Sequence, residues 1–268
     1  MYESGDRMKT RALSGILILT VLVLSIYFSS KIFAIVMLLC AEMGLYEFIN
    51  IKYGKDSHNI EFIKFISYIL LGTMVLNNIF YKINDSIILI SAILGLTLPI
   101  IFYNDSKKYN ISDALFIVGV IIFLGFSFGT IIHLRDISIY KCIYIFIIAF
   151  VADTYAYIGG YLIGKHKLTS ISPKKTWEGS IVGTLMGTTI GSLYYYSMFG
   201  ETSLVFIIIM SFVLTLLSEF GDLVFSSIKR YFGKKDYSNL IPGHGGILDR
   251  FDSVIFVALG LALILNFL

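Results

Sequence analysis

The chain has 268 residues, of which 57% are hydrophobic and only 15% charged. No soluble domain of this size could keep such a balance from aggregating, so the chain belongs in lipid. Its formal net charge of +3, from 21 basic and 18 acidic residues, argues against nucleic acid, and no basic cluster is interleaved with aromatics as single-strand readers require.

The chain opens on Arg7, Lys9 and Arg11, followed by the apolar run Ala12 to Phe28. This start imitates a secretory signal. However, the run is long for one, no small-x-small cleavage pattern follows, and Ile32 to Cys40 resumes the hydrophobic pattern at once. A spanning helix needs about 20 mostly apolar residues. Runs of that kind predict an all-α, polytopic membrane bundle of about nine transmembrane helices, near 12–30, 31–51, 64–81, 86–103, 112–133, 140–163, 177–199, 202–224 and 247–267. The first two join so tightly at Ser29, Ser30 and Lys31 that they read as a helical hairpin. Cys40 and Cys142 lie inside apolar runs without ligand-type spacing and read as inert buried thiols.

With the N-terminus in the cytoplasm, 17 of the 21 Lys and Arg residues fall on the inner side, and only Lys31, Lys82, Arg135 and Lys141 fall outside. That bias predicts a cytoplasmic N-terminus, an external C-terminus and a multi-pass protein of the inner (cytoplasmic) membrane. No transporter-type internal repeat is visible. Residues 1–140 read as a transmembrane scaffold for lipid or dimer contacts. Residues 141–268 read as the catalytic region, with two unusual cytoplasmic loops at 164–178 and 229–246.

The last loop and its flanks hold most of the chemistry-bearing residues. On one helix Asp222, Ser226, Lys229 and Arg230 form a stripe at i, i+4, i+7 and i+8, and on the next Asp249 and Asp252, three apart, face the same way. Three carboxylates from two helices could converge on a hard cation such as magnesium. Helix-end charges and interfacial anchors are the plainer reading. That reading accounts poorly for Asp222, because an ionised carboxylate at the bilayer centre costs about 2.5 to 3.5 kcal/mol on insertion scales.

Pro242, Gly243, His244, Gly245 and Gly246 precede the last helix. They read either as a turn that aims backbone N–H groups at a phosphate or as a plain linker. His244 could bind phosphate, move a proton or do neither. In the other loop, Ser172-Pro173 fits a turn initiator, and Thr176 with Glu178 fits the start of the next span. Trp177 fits an interfacial aromatic. Lys174 and Lys175 suit either a triphosphate or an anionic lipid headgroup. Gly159 to Lys165 spells the opening of a phosphate-binding P-loop, but His166 stands where Ser or Thr is needed and the run leaves a lipid-spanning helix, so it is discounted. Asp153 is an intramembrane acid and a functional candidate by default. Glu42, Glu47 and Glu219 are weaker ones, for which a structural partnership is an equal alternative.

Ser227-x-Lys229-Arg230, Lys235-Asp236-x-Ser238 and Ile241-Pro242-x-His244-Gly245-Gly246-x-x-Asp249-Arg250-x-Asp252 together resemble the signature of phosphatidate cytidylyltransferases. Asp153-Thr-Tyr-Ala-Tyr, Gly160, Gly164-Lys165 and Ser172-Pro-Lys-Lys-Thr-Trp-Glu178 are similar to a second block of that family. The resemblance implies a membrane enzyme, usually a homodimer, that joins CTP to phosphatidic acid with magnesium and releases pyrophosphate. It implies Asp222 and Asp249 as metal ligands, with a second, monovalent cation such as K+ nearby. Asp249, Lys229, Arg230, Arg250 and Asp252 would form the catalytic set. Ser226, Lys174, Lys175, Asp153, Lys235, Asp236, His244, Gly245 and Gly246 would contact substrate. The rival readings are a CTP-dependent polyprenol-type lipid kinase, an ether-lipid cytidylyltransferase and, from another class, a cation-coupled transporter.

Overall fold

A computed structural model of the chain describes residues 2–54, 57, 60–103, 108–200, 202–241 and 245–267, with side chains from residue 15 onward. Within them the chain is helical, and its only bridging pairs are Lys167 with Thr176 and Ile241 with Gly245. The α-helices are α1 (Tyr2–Phe28), α2 (Ser30–Tyr53), α3 (Glu61–Leu76), α4 (Asp85–Thr97), α5 (Ile111–Ile137), α6 (Ile139–Ile163), α7 (Trp177–Met198), α8 (Leu204–Tyr231) and α9 (Leu248–Asn266). A π-helical turn, Asn77–Tyr81, prolongs α3, and a 3-10 turn, Leu98–Phe102, prolongs α4. Each helix overlaps one of the apolar runs read from the sequence, with α1 starting earlier, at Tyr2, and α8 running on to Tyr231.

Six segments among the described residues are long and apolar enough to cross a bilayer: Ser30–Tyr53, Glu61–Tyr81, Asp85–Phe102, Ile111–Ile137, Ile139–Ile163 and Leu204–Tyr231. The shorter stretch Gly15–Phe28 is apolar as well. Composition separates α7 and α9 from these six. Glycines and hydroxyl residues dilute the hydropathy of α7, and α9 opens on Asp249, Arg250 and Asp252.

The sequence ends its helices with recognisable chemistry. Ser29 breaks α1 from α2 and caps the latter, its hydroxyl accepting from the Lys31 N–H at 3.2 Å. Asn84 caps α4 in the same way at Ser86. At the head of α5, Asn110 and Asp113 satisfy each other's backbone N–H groups through their side chains, at 3.2 and 3.0 Å. Thr176 caps α7 by accepting from Gly179 at 3.1 Å.

Two compact units are present. One comprises Met1–His133 and Asp236–Leu248. Its consecutive helices α1 to α4 pack as neighbours. Its core holds Phe33, Met37 and Leu45 of α2, Leu71 and Val75 of α3, and Ile121, Leu124 and Phe128 of α5. Lys52 pairs with Asp113 at 2.8 Å while its ammonium lies 4.4 Å from the Phe116 ring centre, so a charge near a helix end is balanced on two sides.

The other unit comprises Leu134–Lys235 and Asp249–Leu268. Its helices approach through small residues, the usual device where lipid removes the hydrophobic drive for association. A Cβ at Gly183 would stand 2.8 Å from the Ala152 carbonyl oxygen of α6, and one at Gly221 of α8 would stand 2.7 Å from the Asp252 carbonyl oxygen of α9. Gly187 faces Thr215 of α8 at similarly close range. The glycines that dilute the hydropathy of α7 therefore bring three helices together around their acidic residues.

Candidate active site

Four acids of the second unit that the sequence singled out, Asp153, Glu219, Asp222 and Asp252, are linked electrostatically, the other three each interacting with Asp222. Asp222 accepts the Lys175 ammonium on Oδ2 at 2.6 Å and the Ser226 hydroxyl on Oδ1 at 3.2 Å. Asp249 accepts the Lys229 ammonium at 2.6 Å, and both side chains are nearly enclosed, at 6% and 10% exposure. Asp252 interacts electrostatically with Asp222, Asp153 and Lys229. Asp153 does so with Asp222, Lys175 and Glu219, and its Oδ1 accepts the Ser253 hydroxyl at 3.3 Å. Asp222 and Lys229 of the α8 stripe thus meet the acids at the start of α9, whereas Arg230 does not.

Glu219, one turn before Asp222, accepts the hydroxyls of Ser180 and Thr184 from α7. Ser253, Ser180 and Thr184 were missed in the sequence, because a hydroxyl residue in an apolar helix gives no signal until its partner is known. Arg230 is exposed and reaches two carbonyl oxygens, Ile171 at 3.4 Å and Lys234 at 2.7 Å, which ties the end of α8 to loop 164–178. Arg250, Lys174 and Lys235 are exposed.

Loop 164–178 is a hairpin closed by mutual backbone bonds: Leu168 N–H to Lys175 at 2.9 Å and Trp177 N–H to His166 at 3.0 Å. Glu178 holds its base, accepting the His166 ring nitrogen at 2.6 Å and the N–H groups of Lys165 and His166. The His166 contact, followed by these backbone bonds, lowers the Glu178 carboxyl from an ordinary 4.5 to about 2. The N–H groups of the P-loop look-alike therefore serve an internal carboxylate.

In the first unit, Glu47 of α2 is completely buried. It accepts the Ser238 hydroxyl at 2.6 Å and the Ile247 and Leu248 N–H groups at 2.8 and 2.9 Å. Gly246 packs so close that any Cβ would collide with that carboxylate, and Gly245 has φ of +81°, where glycine is favoured. The N–H groups opening α9 are thus met by an anion from the chain itself. Sequence reasoning noted Glu47 only as an intramembrane acid. Asp236 is exposed, and His244, Pro242 and Gly243 lie outside the described residues.

The donor set suits a hard divalent cation. Among the described residues, no three side chains of ligand type stand together at metal-binding distance. Magnesium, however, is commonly held by one or two carboxylates, with waters and substrate phosphates completing its shell. Asp222 and Asp249 are carboxylates of that donor type, and each holds a lysine ammonium at 2.6 Å.

A model of the Cytidylyltransferase family matches residues 9–268. A Staphylococcus saprophyticus protein named phosphatidate cytidylyltransferase is 36% identical over 154 residues, 57% of this chain and 59% of that protein. Proteins of the same name from Staphylococcus aureus and Staphylococcus epidermidis are 33% and 32% identical, over 64% and 76% of this chain and 67% and 81% of their own lengths. The match to the Staphylococcus saprophyticus protein thus spans less than two thirds of that relative. With nearly its whole length matched by the family model, the chain belongs to the cytidylyltransferase family.

Proposed function

We propose that the chain transfers the cytidylyl group of CTP to phosphatidate, giving CDP-diacylglycerol and pyrophosphate. The observation that carries this reading is the clustering of Asp153, Asp222, Asp249 and Asp252 around Lys175 and Lys229 in one helical unit of a cytidylyltransferase-family chain. The name shared by the Staphylococcus relatives supports phosphatidate as the acceptor.

Both substrates are polyanions, and their repulsion must be offset before a lipid phosphate oxygen reaches the α-phosphorus. That oxygen forms a new P–O bond, the bond from the α-phosphorus to the bridging oxygen breaks, and pyrophosphate leaves with the electron pair. No general base is required, because the attacking oxygen carries no proton at neutral pH. Lys175 and Lys229 bring positive charge to the carboxylate cluster, and Arg230 and Arg250 balance the lipid phosphate and the departing pyrophosphate. Ser226 and Asp252 complete the polar wall. Lys174, Asp153 and Lys235 of the same unit contact substrate.

Magnesium held by Asp222 and Asp249 belongs to this proposal and, when bound, supplies charge neutralisation at the phosphate oxygens. A second, monovalent cation such as K+ accompanies it. The proposal also includes nine spans, a cytoplasmic N-terminus, an external C-terminus, a homodimer, and an inner-membrane location with the site facing the cytoplasm. The distribution of Lys and Arg supports that orientation.

The test is a product assay with purified protein, phosphatidate, magnesium and CTP labelled at the α-phosphorus. The expected result is label in a lipid of CDP-diacylglycerol mass, with pyrophosphate formed in equal amount. Transfer of the γ-phosphate alone would replace this reading with a lipid kinase. Solute flux in sealed vesicles without pyrophosphate would replace it with a transporter.

A further inference from the structure

Both carboxylates proposed as metal ligands hold a lysine ammonium at 2.6 Å, Asp222 through Lys175 and Asp249 through Lys229. An ammonium and a divalent cation repel each other and compete for carboxylate oxygens, and at Asp222, whose two oxygens are taken by Lys175 and Ser226, a metal must displace one of them. The two pairs are built differently. Lys229 and Asp249 rise from adjoining helices and are nearly enclosed. Lys175 comes from the hairpin 164–178, and its side chain is 24% exposed against 27% for Asp222.

The Lys175 backbone is fixed on both sides. Its N–H donates to Ser172 at 3.0 Å and its carbonyl accepts from Leu168 at 2.9 Å. Any exchange of partner at Lys175 is therefore a swing of the side chain alone, on a stem long enough to reach a neighbouring anion. The second oxygen of Asp222 keeps its bond to Ser226, which preserves the direction of the carboxylate when the ammonium departs.

We infer that Lys175 is an exchangeable counter-ion: it neutralises Asp222 in the resting protein, then yields that carboxylate to a divalent cation and moves onto a substrate phosphate. This rests on the proposed metal role of Asp222. The resting protein then binds a free divalent cation weakly, and substrate phosphate tightens cation binding because it gives the displaced ammonium a new partner. By reciprocity, the cation tightens phosphate binding by the same factor. Such an arrangement keeps the acidic cluster from holding metal unproductively.

The experiment uses the full chain in phosphatidylcholine nanodiscs, free of nucleotide and phosphatidate, titrated with Mn2+ and read by electron paramagnetic resonance. Lys175→Met is expected to bind Mn2+ more tightly than wild type by about fivefold or more, the lower range of coupling between linked sites. Lys174→Met removes an equal charge from the exposed neighbouring residue and is expected to change the affinity far less. Adding Asp222→Asn to Lys175→Met is expected to abolish the gain. Lys175→Gln serves as a second variant that keeps a long polar side chain, and it is expected to tighten binding likewise.

Equal shifts in Lys174→Met and Lys175→Met, or no tightening in either Lys175 variant, would overturn the exchange. Cytidylyl transfer by wild type is measured separately. Its absence would remove the proposed function, whereas transfer alongside unchanged Mn2+ affinity in both Lys175 variants overturns the counter-ion role alone.

Discussion

Replacing Glu47 with Gln tests the most completely buried polar contact in the first unit. The carboxylate receives three donors: Ser238 and Ile247 on Oε1, at 2.6 and 2.8 Å, and Leu248 on Oε2 at 2.9 Å. A glutamine keeps one acceptor oxygen. Its least costly placement leaves that oxygen on Ser238 and Ile247 and turns the amide nitrogen toward the Leu248 N–H. One buried donor then loses its acceptor, at about 1 to 3 kcal/mol, and the two surviving bonds lose their charge assistance, at about 1 kcal/mol each. The expected destabilisation is about 3 to 5 kcal/mol, partly offset if the helix start relaxes. Thermal unfolding in detergent and amide hydrogen exchange at Ile247 and Leu248 measure it. A wild-type midpoint together with wild-type protection at Leu248 would refute the view that this carboxylate anchors the segment.

The same contact can be disturbed from its other side. Gly246→Ala drives a methyl group into Glu47 and should reproduce the loss of protection at Leu248 while leaving the carboxylate in place. Asp249→Asn is expected to reduce CTP-dependent CDP-diacylglycerol formation by about 100-fold or more in a protein that still inserts, as loss of an electrostatic group at a phosphoryl centre does. Near-normal turnover at saturating magnesium would remove Asp249 from the site. Glu178 lies in loop 164–178, and its folded value is depressed to about 2, so its pairing stabilises the hairpin fully above about pH 4.5 and is lost as pH falls through 2. Carboxylate NMR of glutamate-labelled protein should show that low midpoint, and Glu178→Gln should remove the resonance. Cysteines introduced at Lys174 and Lys31 should react with impermeant reagents from opposite faces of the membrane. Labelling of both from one face would reject the proposed orientation.

The sequence by itself determined the helices and much of the residue inventory. The helices are legible because lipid forces every backbone polar group into a helix, and apolar run length marks the six described segments long enough to cross a bilayer, whereas α7 and α9 are too dilute for that mark. Thr176 marks the start of α7 because its side-chain oxygen accepts a helix N–H group, whereas the caps at Ser29 and Asn84 emerged only from the structure. The stripe from Asp222 to Arg230 and the pair Asp249 and Asp252 followed from helical periodicity, which fixes faces within one helix. Which lysine meets which carboxylate was decided only by the tertiary structure. Lys174 and Lys175 are equivalent by local charge, yet the hairpin leaves Lys174 exposed and aims Lys175 at Asp222, 47 positions away in the chain. Glu47 shows the same limit. Sequence marks a carboxylate in a span as costly and therefore partnered, but its partners lie about 200 residues away, and only packing brings the Ser238 hydroxyl and two backbone N–H groups to it.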